Sequence, residues 1–178
     1  MINDDIDKYV YLCSLQDRNE TLFYDLVREN ITDMAPILYT PTVGLACQRF
    51  AKEFRRPRGM FFTADDIGHF QAMTYNWPAD EVDVIVVTDG SRILGLGDLG
   101  SNGMGIPIGK LILYCACAGI NPNRVLPVML DLGTNNTDLI NDPYYFGIKR
   151  PRLTGDAYIE AVDEFMNAMH GRYPNALV

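Results

Sequence analysis

The stretch VVTDGSRILGLGDLGSNGMGIPIGK, Val86 to Lys110, leads from a β-branched segment through a glycine-rich loop into an apolar helical pattern. Strand, loop and helix in that order argue for an α/β core, and the glycines raise the question of a phosphate site. Gly95-Leu96-Gly97-Asp98-Leu99-Gly100 satisfies G-x-G-x-x-G, and Asp131 stands at the end of the next strand-like segment. Two features oppose a dinucleotide site: the helical pattern starts near Ile106 rather than at the glycines, and Asp131 lies well beyond the usual distance to a ribose-binding acid. A P-loop fails outright, because Met104 stands where its first glycine belongs and Lys110 is followed by Leu111 rather than Ser or Thr. The glycines and the lysine need another purpose.

Val82 to Thr88 reads as a strand, and Asp89-Gly90 is a hairpin signal leading into Ile93 and Leu94. Ile106 to Ala118 reads as an apolar helix, and Val125 to Leu130 as a buried strand ending at Asp131. From Asp156, the spacing of Tyr158, Val162, Phe165, Met166 and Met169 predicts a closing amphipathic helix, and the final NALV has the look of a strand beginning. Upstream, Tyr9, Leu12 and Leu15, then Leu22, Phe23, Leu26 and Val27, mark packing helices. Thr40 as N-cap and Pro41 as first helical residue predict a helix running toward Phe54, with Tyr39 just outside it. Thr63 and Asp66 form a capping-box pattern for a helix through about Met73, closed by Trp77-Pro78. The fold class that results is α/β: a three-layer α/β/α arrangement with a small, mostly parallel sheet, preceded by a helical N-terminal layer. Residues 1–75 form that layer and residues 76–178 the α/β part.

Composition narrows the function classes. At 178 residues the chain fits one domain or one domain with an appendage, and 48% hydrophobic with 21% charged residues is ordinary globular composition. No apolar run is long enough to span a membrane. A net charge of -8 argues against a nucleic-acid partner, so an anionic ligand must be held by local cations. The start MINDDIDKYV lacks the features of a secretory signal, and Cys13, Cys47, Cys115 and Cys117 suit a reducing compartment, which points to the cytoplasm with the mitochondrion as the other choice. Asp65, Asp66 and His69 read as a cap and solvated helix residues rather than a metal cluster. Arg49, Lys52, Arg55, Arg56 and Arg58 read as a wet, charged helix end.

Lys110 falls near the start of an apolar helix entered through Gly103, Gly105 and Pro107. The helix dipole, partial burial and a cation such as Arg92 would each disfavour its charged form and move it toward a general base. Tyr39 stands at the matching place on another helix. Lysine, tyrosine and arginine at two helix N-termini describe a site where a small carboxylate undergoes proton transfer. The plain alternative is a lysine snorkelling from a core helix and a tyrosine closing a turn, and spacing alone favours it.

Tyr39-Thr40-Pro41-Thr42-Val43-Gly44 and the stretch from Val86 to Lys110 resemble the two signature segments of malic enzymes. QDRNETLFY, FRRPRGMF, DLGTNN and the helix around Phe165 follow in family order, so the resemblance covers nearly the whole chain. It implies oxidative decarboxylation of L-malate to pyruvate and carbon dioxide with NAD or NADP and Mg2+ or Mn2+. It further implies that Lys110 takes the malate hydroxyl proton, Tyr39 protonates the enolpyruvate carbon and Arg92 holds a malate carboxylate. It places the glycines in the substrate half, and the metal ligands and nucleotide fold in sequence beyond Val178. The isolated chain is then expected to be inactive and the protein to form a homo-oligomer. Ser91 departs from the glutamate common in the family beside the substrate arginine. An arginine matching Arg18 binds an allosteric dicarboxylate in some animal members, but its partner would precede Met1, so that regulation is not expected. A malolactic enzyme fragment and a non-catalytic dicarboxylate-binding module are the alternatives.

Overall fold

The computed structural model describes residues 2–49 and 58–178. Four short helices open the chain: α1 (Asp5–Arg18), α2 (Glu20–Glu29), α3 (Ile31–Leu38) and α4 (Thr42–Gln48). Asp4 caps α1 by accepting from the Ile6 and Asp7 amides, and Asn19 caps α2 through the Leu22 amide. The apolar faces of α1, α2 and α3 close on Ile112 of a later helix, in a cluster with Leu12, Phe23, Val27 and Leu38.

Three parallel strands follow, β1 (Met60–Thr63), β2 (Val84–Thr88) and β3 (Val125–Asp131), in the order β1-β3-β2. Every residue of β3 is buried, as expected for a central parallel strand covered on both faces. One face receives α6 (Gly105–Ala118), where Leu111 and Cys115 meet Val125, Val84 and Val86. The other receives α8 (Gly155–Arg172), whose Ala161, Phe165, Ala168 and Met169 pack with Phe62, Ile85, Leu126, Val128 and Leu130. Two short helices, α5 (Phe70–Met73) and α7 (Thr137–Asn141), complete the set used below. The architecture is the expected three-layer α/β/α fold with a helical N-terminal layer. Among the described residues no helix is long and apolar enough to cross a membrane.

Several local expectations need correction. The helix after Tyr39 takes Pro41 as its N-cap rather than its first residue; it ends at Gln48, and the stretch toward Phe54, with most of the basic run, lies outside the described residues. The capping box of Thr63 and Asp66 forms, but it caps a single 3-10 turn, Ala64–Asp66. Gly68 at φ 93° breaks the path, and α5 starts afresh at Phe70 with Glu164 accepting from the Gly68 and Phe70 amides. Asp89-Gly90 does not make a hairpin. The chain after Gly90 closes on itself between Ile93 and Gly97 instead of returning along the strand, while β2 pairs with β3 on one side and is bridged at Val84 to Leu177 on the other. That bridge also shows the final residues entering the sheet in parallel, as NALV suggested. Leu94 instead stands at a tight turn closed by paired hydrogen bonds between Ile93 and Gly97, and is 99% exposed. β1 has no counterpart in the sequence reading.

Candidate active site

Tyr39 is the last residue of the α3 turn system: its amide donates to the Ala35 carbonyl, and its own carbonyl accepts from the Val43 amide of α4. Its side chain is thereby held in the corner where α4 meets α6. Two glycines let these helices touch. A Cβ on Gly105 would lie 2.6 Å from the Cys47 sulfur, and one on Gly109 would lie 2.9 Å from the Leu38 carbonyl oxygen and 3.1 Å from Tyr39 Cδ2. Lys110, next to Gly109, consequently extends along Tyr39, with Nζ 5.1 Å from the ring centroid. Tyr39 and Lys110, distant in sequence, share one site.

The electrostatics of the lysine run opposite to the sequence expectation. The Tyr39 phenol beside it is the dominant influence and holds the Lys110 ammonium above the usual lysine range, while partial burial pulls the other way. The dipole argument fails because a helix end acts over its first turn, and Lys110 sits in the second turn of α6. Arg92 is exposed, makes no ion pair among the described residues and is not among the groups that shift Lys110.

Arg92 lies on the turn after β2. Its neighbour Ile93 packs in the same apolar cluster as Tyr39, Val43 and Cys47, together with Leu96 and Leu99, so the turn is seated against α4. The fold therefore brings the Arg92 backbone to the Tyr39 side of the molecule and leaves its charge in solvent. Ser91 turns inward, its amide and hydroxyl both donating to Asp89. Burial works against charge on Asp89, but the Ser91 groups, Tyr158 and Arg152 outweigh it and hold the carboxyl below its usual range. The network of Asp89, Asp98, Arg152 and Tyr158 was not visible in the sequence, which carries no signal that pairs residues so far apart.

The glycines do not cradle a nucleotide. Gly90, at φ 68°, faces the Gly100 carbonyl at 2.0 Å from where a Cβ would sit, and a Cβ on Gly100 would meet the Tyr145 hydroxyl at 2.2 Å. Of the motif's glycines only Gly100 is closely packed, Gly95 and Gly97 facing open space, and a 3-10 turn, Gly100–Met104, separates the loop from α6, so the glycines do not open a helix as a dinucleotide fingerprint does. Asp131 is buried and committed: it accepts from Ser101 Oγ at 2.6 Å, the Ile148 amide at 2.8 Å and the Gly133 amide at 3.1 Å. Among the described residues no group of three or more His, Cys, Asp or Glu is placed to hold a metal ion. Asp66 is spent on Thr63, and Asp65 pairs with Arg150.

A cavity of about 950 Å³ opens elsewhere, between α1, α2 and the 77–81 segment, and includes none of Tyr39, Arg92 or Lys110. Its Arg58 is already paired with Asp17 and Glu20.

Residues 16–178 match the malic enzyme N-terminal domain. The mitochondrial NAD-dependent malic enzyme 59 kDa isoform of Solanum tuberosum is 61% identical over 96% of this chain and 28% of its own length. The hydrogenosomal malic enzyme of Neocallimastix frontalis is 56% identical over 99% of this chain and 30% of its own. The mitochondrial NADP-dependent malic enzyme of Homo sapiens is 56% identical over 95% of this chain and 28% of its own. The chain thus spans less than a third of these relatives. Taken with the corner that joins the two signature segments, these matches establish that the chain belongs to the malic enzyme family and carries its N-terminal domain.

Proposed function

We propose that this domain is the malate-facing half of an NAD- or NADP-dependent enzyme that oxidatively decarboxylates L-malate to pyruvate and carbon dioxide. The observation that supports it most is the Tyr39–Lys110 contact, an ammonium set 5.1 Å from the centroid of a phenol ring at the edge of an open corner. Arg92, exposed and unpaired among the described residues, supplies a planar fork suited to one malate carboxylate. In this reading Lys110 receives the proton of the malate hydroxyl, and Tyr39 delivers a proton to the enolpyruvate carbon. The resting Lys110 is an ammonium beside Tyr39, so it must first give up a proton before it can act as a base; the neighbouring phenol is the group to which the pair would pass that proton.

The nucleotide and the Mg2+ or Mn2+ that malic enzymes use find no site among the described residues, so we assign them to the rest of the protein and expect no turnover from this domain alone. The relatives' names favour a mitochondrial or hydrogenosomal setting over the cytosol. Steady-state kinetics of the full-length protein test the roles. Lys110→Ala and Tyr39→Phe should each lower kcat by about 10²- to 10⁴-fold, the range for a lost general acid or base, whereas Arg92→Ala should chiefly raise the malate KM. Near-normal kcat in both proton-transfer variants would overturn the assignment.

A further inference from the structure

The turn that carries Arg92 is braced by one buried arginine. Arg152 lies between Pro151 and the start of α8, and its side chain is only 7% exposed. Nη1 donates to the Asp89 carbonyl at 2.7 Å and lies 3.5 Å from the Asp89 carboxylate; Nη2 donates to Asp98 Oδ1 at 2.7 Å. Asp89 and Asp98 bracket the turn, and the Leu99 amide closes the same bracket by donating to the Gly90 carbonyl at 2.9 Å. Both carboxylates are further occupied, Asp89 by Ser91 and Tyr158, Asp98 by the Gly100 and Asn135 amides.

We infer that Arg152 is a positioning residue for Arg92: it fastens both ends of the turn and keeps Asp89 and Asp98 engaged, so that the Arg92 guanidinium stays available to a dicarboxylate. This rests on the proposed role of Arg92. The physical logic has two parts. One guanidinium balances two partly buried carboxylates that would otherwise repel each other and splay the turn. Those carboxylates are also the anions nearest to Arg92 in the chain, so without Arg152 they compete with substrate for it. The planar fork matters, because it reaches a carbonyl and two carboxylates at once; a lysine ammonium keeps the charge but cannot span them.

The test uses the full-length protein with Arg152→Lys, Arg92→Ala and the double substitution, reading malate KM, kcat and thermal midpoint. Arg152→Lys should raise the malate KM about ten-fold, the scale of one lost charge-assisted hydrogen bond, with kcat within about two-fold. In the Arg92→Ala background it should raise KM no further, while any fall in thermal midpoint persists. An unchanged KM, or equal effects in both backgrounds, would overturn the inference and leave Arg152 a stabilising ion pair only. If Arg92→Ala alone leaves KM unchanged, the role of Arg92 fails first and the inference falls with it, a result distinguishable because it appears without touching Arg152. Should Arg152→Lys fold poorly, Asp98→Asn removes one carboxylate more gently and is expected to give a smaller KM rise with the same dependence on Arg92; no such rise contradicts the inference.

Discussion

Lys110 is described by its partner more than by its helix. A lysine held above its ordinary 10.5 by the phenol beside it contributes stability that is fully present below that pH and is lost as pH rises through the folded-state value. Lys110→Met should therefore lower the thermal midpoint at neutral pH, and the gap to the unsubstituted protein should close once the medium is more alkaline than the lysine's titration. A gap of constant size across that range would assign the loss to packing of the methylene stem instead. The three candidate residues stand out in the sequence because each is a chemically distinctive type at a recognisable signature: Tyr39 beside Thr40-Pro41, Arg92 after Asp89-Gly90, Lys110 after a glycine-entered helix start. The direction of the lysine's shift does not. It depends on a side chain on another element, and a dipole argument along α6 alone cannot see Tyr39.

Elements whose apolar residues repeat over ten or more positions, α1, α2, α6 and α8, announce themselves in the sequence, as does β3 with its unbroken apolar run. Shorter ones do not. β1 is four residues, too few for alternation to register, and it is a strand because β3 offers it a parallel edge from Val128 to Asp131. The hairpin signal at Asp89-Gly90 was a correct turn with a wrong partner, since the turn residues fix φ and not the neighbour that β2 will accept. The contact of α4 with α6 gives a sharp element-scale prediction. Replacing glycine with alanine inside a helix ordinarily gains roughly 0.5–1 kcal/mol. At Gly109 the added methyl would press on the Leu38 carbonyl and the Tyr39 ring, and relieving such overpacking costs about 1–3 kcal/mol, so the clash should win. Gly109→Ala should lower the thermal midpoint; a rise would mean that the helices separate freely and that the corner is not rigid.

At the scale of the molecule, the three layers explain why the corner is open. The sheet and α8 build a core that needs nothing from the N-terminal helices, while those helices close on the outer face of α6 and leave Tyr39, Lys110 and the Arg92 turn at a solvent boundary. The layer order was legible from the succession of helices, strands and helices. The bracing of the Arg92 turn by Arg152 was not, because a buried guanidinium reads in sequence like any solvated one. What joins fold to chemistry is the pairing of one amine with one phenol, and it can be measured on this domain directly. A pH titration of the Lys110 ε-ammonium by nuclear magnetic resonance, in the 178-residue protein and in Tyr39→Phe, should give a midpoint above 10.5 that falls back toward 10.5 when the phenol oxygen is removed. The same midpoint in both proteins would show that the two groups do not share a proton, and the account of the site would fail.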